Sequence, residues 1–113
     1  MNNISPQLQN QITQFQQVQQ QLQTVATQKM QMEAQKREME RTKEELKKAT
    51  GDIYKNVGSL LIKADSKDAL SKDLEDTLET LDVRIKALDR QEKGLREKFT
   101  ALQETINKAM GSQ

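Results

Sequence analysis

The 113-residue chain is 34% apolar but only 3% aromatic, and Phe15, Tyr54 and Phe99 are too few rings to fill the core of a compact enzyme. Charged residues make up 31% yet balance to a net +1, which is neither the basic excess of a nucleic-acid binder nor an acidic excess suited to cations. Cys and His are both absent, which removes thiol chemistry, zinc clusters and imidazole acid–base catalysis together.

The opening Met1-Asn2-Asn3-Ile4 has neither the basic start nor the apolar run of a signal peptide. No apolar stretch approaches the ~18 residues of a membrane span. A soluble, cytoplasmic protein is expected. Its first element is a helix over about residues 5–50. Ser5 can cap it, and Pro6, the single proline, stands in the first turn, where a missing N–H costs little. Gly51 follows as a C-terminal cap residue. With Phe15 as a heptad a position, the d row reads Gln11, Val18, Val25, Met32, Met39 and Leu46. The a row begins Leu8, Phe15 and Leu22, then changes to Lys29, Lys36 and Lys43. The pattern is a coiled-coil seam with a polar second half.

Residues 52–64 change in kind, with β-branched, aromatic and aliphatic residues around Asn56-Val57-Gly58. Strands at about 53–55 and 59–63 are predicted, joined by a turn in which Gly58 takes a positive φ. A second helix is predicted over about 70–110, with Ser71 as its cap and Asp73, Glu75 and Asp76 near its positive end. Its a row is Ser71, Leu78, Ile85, Glu92, Phe99 and Ile106, and its d row Leu74, Leu81, Leu88, Leu95, Leu102 and Ala109. Gly111 ends the run. The order helix, hairpin, helix returns the second helix antiparallel to the first, in one of two registers: Phe15 near Leu102, or Leu22 near Leu102. Either brings Lys29 close to Glu92, and each is a polar break in its own seam, so a pairing between them is predicted.

The fold class is therefore mainly α, a single domain over 1–113 with two long antiparallel coiled-coil helices joined by one β-hairpin. Leu60, Leu61 and Ile62 are consecutive, so apolar side chains leave both faces of their strand. A lone hairpin is marginal in water and its edges invite further strands. The simplest solution is that several chains pool their hairpins into a closed β-barrel or sandwich body; the alternative is a hairpin folded back as a cap on its own coiled coil.

At the other end, residues 1–28 carry no charged side chain and are dominated by glutamine, with Ile4, Leu8, Ile12, Phe15 and Val18 interspersed. Ile106 and Met110 join them from the second helix. Leu8, Phe15 and Ile106 also serve the seam, whereas Ile12 and Met110 lie beside it and are free to bind something else. Glutamine hydrogen-bonds without demanding an opposite charge, and methionine adapts to irregular surfaces. This suits loosely specific binding of apolar segments. No G-x-x-x-x-G-K-[ST], G-x-S-x-G or H-E-x-x-H occurs, and the paired carboxylates sit on solvated helix faces. No catalytic residue, metal or cofactor is expected.

The stretch Ile53-Tyr-Lys-Asn-Val-Gly-Ser-Leu-Leu-Ile-Lys63 resembles the hairpin of the prefoldin family's beta subunits, most of all the archaeal form. Leu74-Glu-Asp-Thr-Leu-Glu-Thr-Leu81 is similar to the start of that family's second helix, and Gln14-Phe15-Gln-Gln-Val-Gln-Gln-Gln-Leu22 to its glutamine-rich first helix. The resemblance implies a hexamer of two alpha and four beta subunits whose hairpins form a double β-barrel. It implies coiled-coil tips that hold non-native proteins without ATP and deliver them to a group II chaperonin. It assigns assembly to Ile53, Tyr54, Val57, Gly58, Leu60, Leu61 and Ile62. Client contact falls on Ile4, Leu8, Ile12, Phe15, Ile106 and Met110. The competing reading is a structural coiled-coil adaptor that binds one folded partner. No nucleic acid and no membrane is expected as a partner.

Overall fold

Ser5 opens the first helix as its side chain allows: Oγ accepts from Leu8 N–H at 3.0 Å, and its carbonyl accepts from Gln9 N–H at 2.9 Å. The computed structural model describes residues 4–111, in the order α1 (Pro6–Lys48), β1 (Tyr54–Val57), β2 (Leu60–Lys63) and α2 (Lys67–Gly111). Helix α1 stops two residues before the predicted end. Gly51 then takes φ +78°, the left-handed turn that a non-glycine residue would adopt only with strain.

The second helix starts earlier than its sequence suggests, and Ser66, not Ser71, caps it. Ala69 N–H donates to Ser66 Oγ at 3.0 Å and Leu70 N–H to its carbonyl at 3.2 Å. Asp68 then lies in the first turn, beside the helix's positive end. Leu70 and Leu74, both in this helix, line a common hollow at the base of the hairpin. Ser71 is an interior helical residue, and Gly111 is the last helical residue instead of the one after it.

The hairpin pairs Tyr54 with Lys63, Lys55 with Ile62, Asn56 with Leu61 and Val57 with Leu60. Asn56 and Val57 thus belong to the strand, and the turn is Gly58-Ser59. Gly58 has φ +60° while no non-glycine residue has a positive φ, which defines a type II′ turn. Such a two-residue turn matches the twist of the strands, whereas the predicted turn at 56–58 would have cost β1 two of its four pairs. Ala64 N–H donates to the Ile53 carbonyl at 2.8 Å and extends the pairing by one rung.

The described residues group into two compact units, one running up to Met30 and resuming at Lys86, the other spanning Gln31–Ile85. In each, the segments of α1 and α2 run antiparallel around a thin seam. Val18, Val25 and Ile106 are the buried apolar residues of the first unit, and Leu46, Leu81 and Ile85 those of the second. In the first unit Phe15 stacks on Phe99 with ring centroids 4.6 Å apart. This contact selects the Phe15–Leu102 register, one turn away, because the Leu22–Leu102 alternative would have set Phe15 against Ala109.

The lysines on the a row are not gaps. Lys29 Nζ lies 3.1 Å from Glu92, as predicted, and 2.6 Å from Asp89. In the second unit Lys36 reaches Asp82 at 2.9 Å and Lys43 reaches Glu75 at 3.3 Å. Each lysine lays its aliphatic stem along the seam and carries its ammonium to an acid of α2. The hydrogen bonds that Lys29 donates to Asp89, then Glu92, hold its pKa above the ordinary lysine value, and the one Lys36 donates to Asp82 does the same there.

Candidate functional site

In the first unit, a groove of about 410 Å³ opens beside the seam. Helix α1 contributes Ile12, Phe15, Gln16 and Gln19 to it, and α2 contributes Gln103, Ile106, Asn107 and Met110. The lining contains no charge. It follows from heptad geometry: Ile12, Gln19, Gln103 and Met110 are all e positions, and antiparallel helices bring their e positions to one side of the seam. Phe15 and Ile106, both a positions, form the floor.

Four of the six sequence-predicted contact residues therefore meet in one place. Met110 is 52% exposed, Ile12 and Phe15 are half-buried, and Ile106 is buried, available only as groove floor. Ile4, 40% exposed, and half-buried Leu8 do not line the groove. The amides Gln16, Gln19, Gln103 and Asn107 form a polar rim that sequence reasoning did not single out. Reading the e row across both helices would have found Gln19 and Gln103.

The second unit presents a different surface. Every residue of β1 and β2 is exposed, so the hairpin is not folded back as a cap. Opposed residues of an antiparallel pair share a face. Val57, Leu60 and Ile62 therefore stand on one side, with Tyr54 and Leu61 on the other. Leu61 is 71% exposed and Leu60 62%. Burying such a side chain contributes about 1.5–3 kcal/mol, so five of them form a strong reason to associate. Gly58 contributes the turn, not contact area. Ile53 is half-buried and belongs with Leu46, Ala49, Leu70 and Leu74, which line a hollow of about 420 Å³ at the hairpin's base.

Lys67 closes that base. Its Nζ donates to the carbonyls of Lys47 and Ala49, each at 3.0 Å. These are among the unpaired carbonyls that every helix leaves at its C-terminus, where a cation is also favoured by the dipole. Among the described residues no group of acids could hold a metal ion, and no helix is long and apolar enough to cross a membrane.

Paired helical segments around a thin seam, with an uncovered β-hairpin between them, define a coiled-coil protein of the hairpin-bearing kind. The chain belongs to the prefoldin family: the family described as "Prefoldin subunit" matches residues 9–113. The prefoldin subunit beta of Methanococcoides burtonii is 46% identical over 112 residues, covering 97% of this chain and 95% of that protein. That of Methanosarcina acetivorans is 46% identical over 110 residues, covering 96% and 93%. That of Methanocella arvoryzae is 50% identical over 52 residues, 46% of this chain and 40% of that protein. The crystal structure of the prefoldin beta subunit from Thermococcus strain KS-1 is similar with a TM-score of 0.85. The two are 39% identical, and 96% of each chain is covered.

Proposed function

We propose that this prefoldin-family chain, acting as one domain over 1–113, holds non-native proteins without ATP and passes them to a group II chaperonin. The uncharged groove of Ile12, Phe15, Ile106 and Met110 carries this reading. Its floor is apolar, its rim offers amides that pair with any exposed peptide group, and no charge selects one partner over another. The reading also has the hairpins of several chains close a β-barrel, which the five exposed apolar hairpin residues support. In this reading the complex is a cytoplasmic hexamer of two alpha and four beta subunits with this chain as a beta copy, a proposal that membership of the prefoldin family supports.

The test is suppression of aggregation for several unrelated unfolded proteins, followed by light scattering. The wild-type assembly is expected to retain all of them and to ignore their native forms. Ile12→Ser with Met110→Ser should require roughly tenfold more chaperone, the equivalent of about 1.4 kcal/mol of lost apolar contact. Retention of one folded partner and no unfolded protein would instead establish the coiled-coil adaptor.

A further inference from the structure

A second groove, of about 740 Å³, flanks the seam in the same unit. Gln17, Gln21 and Gln28 of α1 and Gln91 of α2 stand around it, above Val25 and Leu95. Gln21, Gln28 and Gln91 occupy heptad g positions, so this is the opposite side of the seam from the e-row groove. Coiled coils ordinarily place interhelical salt bridges at g. Here, in a chain that is 31% charged, Gln21 and Gln28 of α1 and Gln91 of α2 are carboxamides, the neighbouring g positions of α2 are Arg84 and Lys98, and no charged residue lines the groove itself. Among the described residues none of the four glutamine side chains around it makes a hydrogen bond within the chain. Their donors and acceptors remain available.

We infer that this groove binds the main chain of a non-native polypeptide in extended form. Each carboxamide offers one N–H face and one C=O face, as a peptide group does, and neither partner carries charge. The spacing matches as well. Four helical residues from Gln17 to Gln21 rise about 6 Å, close to the roughly 6.6 Å that two residues of extended chain advance. Val25 and Leu95 give the groove an apolar floor for alternate side chains. The e-row groove then selects for exposed apolar side chains, while the g-row groove reads only that a backbone is extended and unpaired. This inference rests on the holding activity proposed above.

The experiment measures binding of a short, uncharged, leucine-bearing peptide and of the same peptide N-methylated at alternate nitrogens. The hosts are the wild-type assembly and the variant Gln17→Ala, Gln21→Ala, Gln28→Ala. Alanine preserves the helix, which circular dichroism would verify. Wild type is expected to bind the methylated peptide roughly tenfold more weakly, and the variant to lose that preference, about two or three net hydrogen bonds' worth. Methylation also alters the peptide's own conformation, so the difference between the two hosts is decisive. Equal preference in both hosts overturns the inference, as does no preference in either. If those results accompany weakened binding by Ile12→Ser with Met110→Ser, the holding activity stands without it. Failure of wild type to bind either peptide overturns both.

Discussion

The two units of the molecule expose apolar residues under opposite constraints. In the hairpin unit, Leu60, Leu61 and Tyr54 stand exposed on a two-stranded frame with its internal hydrogen bonds made and its edges open. In the terminal unit, Ile12 and Phe15 are half-covered, their groove is rimmed by amides, and the first helix carries no charge before Lys29. An apolar face with open strand edges favours one repeated, self-like partner, because register and strand pairing specify what can add to it. A shallow groove without charge or fixed pairing favours many partners weakly. On the function proposed above, the same apolar chemistry serves assembly in one unit and tolerance in the other.

The sharpest way to break this contrast is to place charge on the hairpin. Leu60→Asp with Leu61→Asp removes two large contacts, each worth about 1.5–3 kcal/mol, and buries unpaired carboxylates in any joint sheet. The native mass measured by sedimentation should fall to that of unassembled chains, while helix content is unchanged. An unchanged mass would mean that the hairpin is not the assembly surface. Gly58→Val tests the turn alone, since nothing lies within 4 Å of an added Cβ there. The cost is conformational, about 1–2 kcal/mol for a left-handed residue, and should appear as a lower melting temperature of the assembly.

Smaller effects sharpen the picture of each unit. Ser66→Ala should destabilise by about 1 kcal/mol through the lost cap, whereas Ser71→Ala should stay within about 0.5 kcal/mol in thermal melts. Equal effects would place the start of α2 at the later serine. The smallest expected signal is the Lys29–Glu92 coupling, favourable in a double-mutant cycle but reduced by solvent and salt. Its pH dependence has a definite sign. Lys29 has a raised pKa in the folded chain, so its stabilising effect is complete below the unfolded lysine pKa and is lost as pH rises through the raised one. Melts between neutral pH and the alkaline range should show that loss only at the alkaline end.

Much of this was legible in the sequence because heptads and turn residues are local signals. The d row located Val18, Val25, Leu46 and Leu81, all of which are buried. The paired breaks at Lys29 and Glu92 marked their own contact. What escaped depended on competition between similar local signals. Ser66 and Ser71 are both followed by an acid two residues later, and the sequence pattern alone does not separate them, whereas in the fold Ser66 accepts the capping bonds from Ala69 and Leu70. The turn was misplaced because Asn56 and Gly58 are both turn formers, and the choice rests on which loop preserves more strand pairs. The roles of Lys36 and Lys43 needed the register, since their acids lie across the seam at Asp82 and Glu75. Lys67 left no signal at all: its partners are backbone carbonyls, which no side-chain pattern reports.

That last contact has a consequence for how the hairpin could vary. Lys67 ties the end of α1 to the start of α2 directly, through bonds that involve neither strand. The chain between Gly51 and Asp65 is then a loop whose closure is largely settled at its root, and lengthening such a loop costs only about 0.6 kcal/mol per doubling. The segment can behave as an exchangeable cassette, with strand length and sequence free to change with the partner sheet while the helices beneath it keep their register.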